Sequence, residues 1–69
     1  MQYKEAVLHL NQVVLYKNMK YSSFVDYILC AVIIRRNHEN TLSYFCELKD
    51  KNSDSVIITS LDRVIQKED

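Results

Sequence analysis

Two cysteines and two histidines carry the most versatile chemistry in this chain: His9, Cys30, His38 and Cys46. A metal site would need such ligands at short, regular spacings like C-x-x-C or H-x-x-x-H, and neither spacing is present. A Cys–His nucleophile would need an exposed thiolate beside an imidazole, and the sequence places no such pair together. We therefore predict no catalytic residue, no metal site and no cofactor, and we expect the protein not to be an enzyme.

Acidic and amide side chains at Asp50, Asn52 and Asp54 resemble a calcium loop in composition only. The glycine and the terminal bidentate glutamate of such a loop are missing, so a turn is the better interpretation. The whole chain contains no glycine and no proline. Glycine-rich phosphate-binding loops are thereby excluded, and tight turns must be made by Asn, Asp, Ser or Lys, of which Asn and Asp best tolerate a left-handed backbone.

Basic and aromatic side chains suggest a nucleic-acid interface as a second kind of site. Nine basic residues balance nine acidic ones, so no global field would attract nucleic acid. A local patch would still form if the hairpins brought the following side chains to one end: Lys17, Lys20, Arg35, Arg36, Tyr16 and Tyr21. The alternative interpretation is that the tyrosines cover the core and the cations solvate loop ends.

The elements that must position these side chains begin with a short helix over residues 3–10, where Tyr3, Val7 and Leu10 share one helical face. A strand over 12–17 follows, because Val13 to Tyr16 are β-branched or aromatic. A single helix over 3–17 is the competing interpretation.

Residues 24–36 fit either a strand or a helix. A capping box at Ser23 and Asp26, with two arginines at the end, favours a helix. Pairing with the next strand favours an extended segment: if Cys30 opposes Cys46, then Val32 opposes Tyr44 and Ile34 opposes Leu42, and one face becomes apolar. That register needs an odd-length loop such as 37–39. We predict a strand with both cysteines in the core, as reduced thiols.

The clearest hairpin joins strands over 41–49 and 55–60, with Leu48 opposite Val56 and a loop from Asp50 to Asp54. A short terminal turn over 61–65 would tuck Leu61, Val64 and Ile65 against the sheet, and 66–69 would form a solvated tail.

The predicted fold is a single small domain spanning 1–69, mainly β with a short N-terminal helix. An SH3-like barrel or a curled antiparallel meander sheet would remove the open edges that short strands leave. The alternative is an α+β fold with helix 24–36 packed on a hairpin. The longest apolar run, residues 28–34, is far shorter than the roughly 20 residues of a membrane-spanning helix. No signal peptide is evident, so we expect a cytoplasmic protein without a membrane partner.

Three segments, VLYKNMKY (14–21), AVIIRR (31–36) and YFCELKDKNSDSVIITSLDRV (44–64), carry a resemblance to a known group. Over residues 11–65 the strand pattern resembles small, uncharacterised accessory proteins of conjugative elements and phages of Gram-positive bacteria. The resemblance implies a cytosolic accessory protein of a mobile element with no assigned chemistry, and it assigns no functional residues.

Protein interaction is the predicted function. A chain of 69 residues has little interior to spare for a substrate pocket, whereas its five tyrosines and two phenylalanines exceed the needs of one small core. If the strand at 56–59 lies at an edge, it would be free to pair with its own copy to make a homodimer. A small nucleic-acid-binding barrel is the alternative function.

Overall fold

The computed structural model describes residues 1–18, 20 and 23–67. Helix α1 (Tyr3–Leu8) precedes strands β1 (Val13–Asn18), β2 (Ser23–Arg36), β3 (Leu42–Asp50), β4 (Val56–Ser60) and β5 (Val64–Gln66), and a 3₁₀ turn, Leu61–Arg63, lies between the last two. The strands form one antiparallel sheet in the order β4-β3-β2-β1-β5. The predicted mainly-β meander with a short N-terminal helix is confirmed, and residues 24–36 are extended rather than helical.

Strand β2 contains a β-bulge at Cys30 that changes its register against β3. Val32 lies opposite Cys46 and Ile34 lies opposite Tyr44, each two residues away from the predicted partner. The β2–β3 loop contains five residues, 37–41, instead of the predicted three. It is closed by a hydrogen bond from the Asn37 N–H to the Thr41 carbonyl at 3.0 Å. A two-residue shift keeps side chains on the same face, so the predicted apolar face survives. Cys30 itself is exposed, and its predicted core position is wrong.

The β3–β4 hairpin differs from the predicted register by one residue. Val56 lies opposite Lys49, and Ile57 takes the predicted place of Val56 opposite Leu48. The hairpin closes where the Asp50 N–H donates to the Ser55 carbonyl at 2.9 Å. A one-residue slip moves a strand's side chains to the opposite faces. Val56 and Ile58 therefore lie on the face away from the core.

The C-terminal segment contains a strand that the sequence analysis missed. The predicted helical turn over 61–65 is confined to Leu61–Arg63, and β5 then pairs with β1. Leu61 and Val64 are buried as expected, but Ile65 is exposed because the extended backbone turns it to the other face. Of the predicted tail, Gln66 belongs to β5 and residues 68–69 lie outside the described residues.

The short link between β4 and β5 requires a curled sheet. Four intervals between five strands span about 19 Å in a flat sheet, whereas the backbone from Ser60 to Val64 reaches at most about 14 Å. The bulge at Cys30 supplies a local bend in β2, the longest strand. The sheet nevertheless remains open, since β4 and β5 form the two ends of the strand order among the described residues. The predicted closed barrel is therefore wrong, and the curled sheet is right.

The core lies on one face of this sheet, beneath α1 and the 3₁₀ turn. Its fully buried side chains are Ala6, Val14, Leu29, Cys46, Leu48, Leu61 and Val64. Ala6 is the buried residue of α1, which ends at Leu8 rather than continuing to residue 10 as predicted. We call the sheet face that carries this core the inner face.

Two asparagines occupy the left-handed backbone region in this glycine-free chain. Asn11, with φ 69°, follows the end of α1, and Asn40, with φ 65°, lies in the β2–β3 loop. Asn tolerates this conformation better than most residues with a Cβ atom. The turns are therefore made by the residue type that the composition predicts.

Candidate interaction surface

The face of the sheet opposite the core is largely apolar, although charged side chains such as Asp26, Glu47 and Lys49 also lie on it, and no described element covers it. Strand registers and the alternation of side chains place ten apolar residues there. They are Val13, Leu15, Phe24, Ile28, Ala31, Ile33, Phe45, Val56, Ile58 and Ile65. None of these side chains is fully buried, and those of Phe24, Val56, Ile58 and Ile65 are exposed. We call this surface the open face.

Phe45 is one of two aromatic side chains on the described part of the open face. It lies half-buried opposite Ile33 in the β2–β3 pair. The guanidinium of Arg35 lies 5.5 Å from the centre of its ring, within the range of a cation–π interaction. The contact holds an arginine beside an aromatic ring at the surface, and both residue types are enriched at protein interfaces.

A charged cluster lies on the open face, where Asp26 of β2 is opposite Leu15 of β1. Asp26 accepts a hydrogen bond from the ammonium of Lys67 at 2.7 Å, and Lys51 lies 3.8 Å from the same carboxylate oxygen. The hydrogen bond from Lys67 is the main cause that lowers the pKa of the Asp26 carboxyl, and the positive charges of both lysines add to it. Asp26 is therefore held as an anion on the open face.

The predicted nucleic-acid patch is divided between two ends of the long strand β2. Lys17 lies opposite Phe24 at the start of β2, whereas Arg35 and Arg36 lie at its end. Positions 24 and 35 are separated by roughly 36 Å of strand at about 3.3 Å per residue. The four predicted cations are therefore not brought to one end.

The individual members of that patch have other contacts. Arg36 donates from its guanidinium to the Asn40 side-chain oxygen at 2.9 Å. The exposed Lys20 donates its backbone N–H to the Asn18 side chain at 3.0 Å. Tyr16 is half-buried against the core, with its ring perpendicular to that of Tyr27 at 5.6 Å. Tyr21 lies outside the described residues.

The cysteines and histidines do not converge in the described part of the chain, where no three potential metal-ligating side chains form a group. Cys46 is fully buried, and burial raises the pKa of its thiol to about 11. Cys30 is exposed, with its sulfur 3.6 Å from the Ile28 carbonyl. The ring of His9 contacts the Glu5 carbonyl at 2.8 Å.

The loop that resembled a calcium site is organised as a turn. The Asp50 side chain accepts from the Asn52 N–H at 2.8 Å, and Asp54 lies 3.7 Å from the ammonium of Lys49. The Asp50 side chain thus forms a hydrogen bond within the turn, and the Asp54 carboxylate faces the Lys49 ammonium of β3. This arrangement supports the turn interpretation.

A cleft of about 340 Å³ lies between the N-terminal residues and the 3₁₀ turn. Tyr3 and Tyr44 form its aromatic wall, with ring centres 5.6 Å apart, and Lys4 and Asp62 are its charged lining residues. The backbone nitrogen of Met1 donates to the carbonyls of Leu61 and Val64 at 3.1 and 2.8 Å. These bonds fasten the start of α1 to the 3₁₀ turn, so the cleft marks where helix and sheet meet.

Comparison of the chain with protein families, with curated proteins and with solved structures finds no match. The resemblance to mobile-element proteins therefore stays a prediction. Among the described residues, no helix combines the length and the apolar character needed to cross a membrane.

Register is the reason that sequence reasoning missed much of the open face. The alternation in β3 correctly directs Phe45 away from Leu48 and Cys46. The predicted pairing of Leu48 with Val56, however, would have turned Val56 and Ile58 toward the core. The asparagine and aspartate content of both loops was visible in the sequence, but the number of residues each loop contains was not.

Proposed function

We propose that the protein is a non-enzymatic interaction module that works in the cytoplasm and binds another protein through the open face of its sheet. The observation that carries this proposal is a largely apolar sheet face, built by five strands and interrupted in β3 by Glu47 and Lys49, that no described element covers. Exposed apolar surfaces of this kind in small proteins commonly bind partners, because contact removes them from water. Among the described residues, a core of buried side chains on the inner face supports the sheet.

The arrangement of side chains supports a protein as the partner. Phe45 with Arg35 supplies an aromatic and cationic pair toward the end of β2, and aromatic residues and arginine dominate the energetics of many interfaces. Asp26 with its two lysines adds a charged cluster to the same face, and protein interfaces contain hydrogen-bonding groups as well as apolar area. The resemblance to accessory proteins of mobile elements suggests that the partner is a host protein or one encoded by the element.

Substitution of adjacent residues in β2 tests which face binds. Ile33 lies on the open face and Ile34 lies on the inner face beyond the core. The measurement is quantitative affinity purification of partners from the native host. We expect Ile33→Thr to reduce the recovery of specific partners at least tenfold. Ile34→Thr is the matched control, because it makes the same chemical change in the same strand and should retain them.

Circular dichroism and thermal unfolding of both variants would establish that the sheet is intact. Loss of partners from Ile34→Thr alone would assign binding to the inner face instead. Equal recovery by both variants and the unsubstituted protein would overturn the proposal for the open face.

The alternative function, nucleic-acid binding, has less support because Lys17 and Arg35 lie far apart along β2. Fluorescence anisotropy with labelled single-stranded DNA and RNA at low salt tests it directly, because low ionic strength exaggerates electrostatic binding. We expect no saturable binding. Saturable binding that weakens with added salt and with Arg35→Gln would favour the alternative over our proposal.

A further inference from the structure

Strand β4 is an edge strand without the features that normally protect an edge. Its residues, Val56 to Ser60, include no charged side chain, although lysine, proline and bulges are the usual means of preventing strand addition. Its only ladder in the described structure is with β3. The other edge, β5, is three residues long and is followed by Lys67. The two edges therefore differ in their suitability for pairing.

The hydrogen bonds of the β3–β4 hairpin determine which groups of β4 point outward. Asp50 donates to the Ser55 carbonyl at 2.9 Å, so this opposed pair is hydrogen-bonded. Hydrogen-bonded and non-hydrogen-bonded pairs alternate along an antiparallel ladder. Ile57 and Thr59 consequently direct their backbone groups toward β3. Val56, Ile58 and Ser60 direct theirs toward the free edge.

From this pattern we infer that β4 pairs antiparallel with β4 of a second copy of the chain, around a two-fold axis at Ile58. The two Ile58 residues then exchange both of their backbone hydrogen bonds. Each Ser60 N–H donates to the Val56 carbonyl of the other copy. An isologous contact requires such self-complementarity, and the outward groups of β4 meet it in this register.

The side chains of β4 add apolar burial to these hydrogen bonds. Ile58 is 57% exposed and Val56 is 49% exposed, and both lie on the open face. Pairing brings the two Ile58 side chains side by side and joins the two open faces into one surface. The contact is small beside the ~1,600 Å² of a standard stable interface, so the dimer should depend on concentration. Self-association involves only the β4 margin of the open face, so it leaves the side chains of the other strands available to another protein.

A proline at the axis tests the contribution of the backbone. The Ile58 N–H points outward, so Ile58→Pro removes it without breaking the β3 ladder, as proline in edge strands allows. Sedimentation velocity at chain concentrations up to about 1 mM, the dissociation constant of a weak complex, should show a concentration-dependent dimer. Ile58→Pro should remain monomeric over the whole range. Ile65→Lys, a substitution on the same face at the other edge, should still dimerise.

Cysteine cross-linking tests the register and does not depend on the proline variant folding. In a Cys30→Ser background, Ile58→Cys places two thiols across the axis at about 5.5 Å between Cα atoms, within disulfide range. Copper–phenanthroline should oxidise this variant to a covalent dimer. Val56→Cys is the matched control, because pairing with Ser60 separates its two copies by about 14 Å.

A monomer at every concentration, or a dimer that persists in Ile58→Pro, would overturn the inference. So would cross-linking of Val56→Cys as fast as that of Ile58→Cys. A mass above that of a dimer would indicate pairing of β4 with β5 of the next copy, and would replace the two-fold arrangement.

Discussion

Cys30 and Cys46 lie on neighbouring strands, yet the first thiol is exposed and the second is fully buried. The bulge at Cys30 gives this residue no partner in β3, and Leu29 and Val32 occupy the inner face around Cys46. The chemical behaviour of the two thiols should differ accordingly, because the thiolate is the reactive species and burial disfavours it.

We predict that one thiol per folded chain reacts rapidly with an aromatic disulfide reagent at pH 8 and that this thiol belongs to Cys30. Cys46 should react only after unfolding, because it is inaccessible and its pKa of about 11 keeps it protonated. Reaction followed by absorbance, with and without denaturant, measures both. Cys30→Ser should abolish the rapid phase, and Cys46→Ser should leave it unchanged. Rapid reaction of both thiols in the folded protein would contradict the buried position of Cys46.

The sequence was sufficient to identify β2 as a strand, because pairing with β3 creates an apolar face that a helix would not use. The face of the sheet on which a side chain lies was easier to predict than the residue opposite it in the next strand. The two-residue error at Val32 and Ile34 left their faces correct, whereas the one-residue error at Val56 reversed the faces of β4. The length of the β2–β3 loop depends on specific hydrogen bonds within it, such as those that Asn37 accepts from Glu39 and Thr41 at 3.0 Å.

Strand β5 could not be predicted because its stability comes from distant residues. It has three residues and pairs with β1, about fifty positions earlier in the chain. Leu61, Val64 and Ile65 match a helical spacing locally, and the pairing of Val64 with Tyr16 overrides that preference. The open face was missed for the same reason, because the side chains that it carries depend on the registers of five strands, and the sequence does not specify those registers.

A pair of leucine substitutions should distinguish the core from the exposed helix surface. Leu48 is fully buried between β2 and β4, whereas Leu8 is 77% exposed at the end of α1. We expect Leu48→Ala to lower the free energy of unfolding by about 2–5 kcal/mol, because it removes buried methyl groups and leaves a cavity. Leu8→Ala should change it by less than about 0.5 kcal/mol. Urea unfolding measures both, and a similar loss in the two variants would contradict the position of the core.

Glycine should be tolerated better than alanine at Asn40, the reverse of the usual order. Asn40 has φ 65°, where the Cβ atom of alanine is unfavourable by about 1–2 kcal/mol and glycine has no such cost. Both substitutions remove the hydrogen bond from Arg36, so its loss cancels in the comparison. We expect Asn40→Ala to unfold at a lower urea concentration than Asn40→Gly. The opposite order would mean that this loop does not hold a left-handed residue.

The Asp26 carboxyl group should make the stability of the folded protein depend on pH in the acidic range. The hydrogen bond from Lys67 at 2.7 Å lowers the pKa of Asp26 below its ordinary value of 3.8. A carboxyl whose pKa is lower in the folded state than in the unfolded state contributes stability above the unfolded pKa. That contribution is lost as the pH falls through the lower, folded pKa.

NMR titration of the Asp26 carboxyl carbon should show this lowered pKa directly. Lys67→Met should raise the pKa more than Lys51→Met, because Lys67 donates the hydrogen bond whereas the ammonium of Lys51 lies 3.8 Å away. Added salt should weaken the effect of Lys51 in particular, since a purely Coulombic interaction at the surface is screened. A larger effect of Lys51→Met would contradict the hydrogen bond from Lys67 to Asp26. It would also contradict the position of Lys67, the residue after β5, beside Asp26 on the open face.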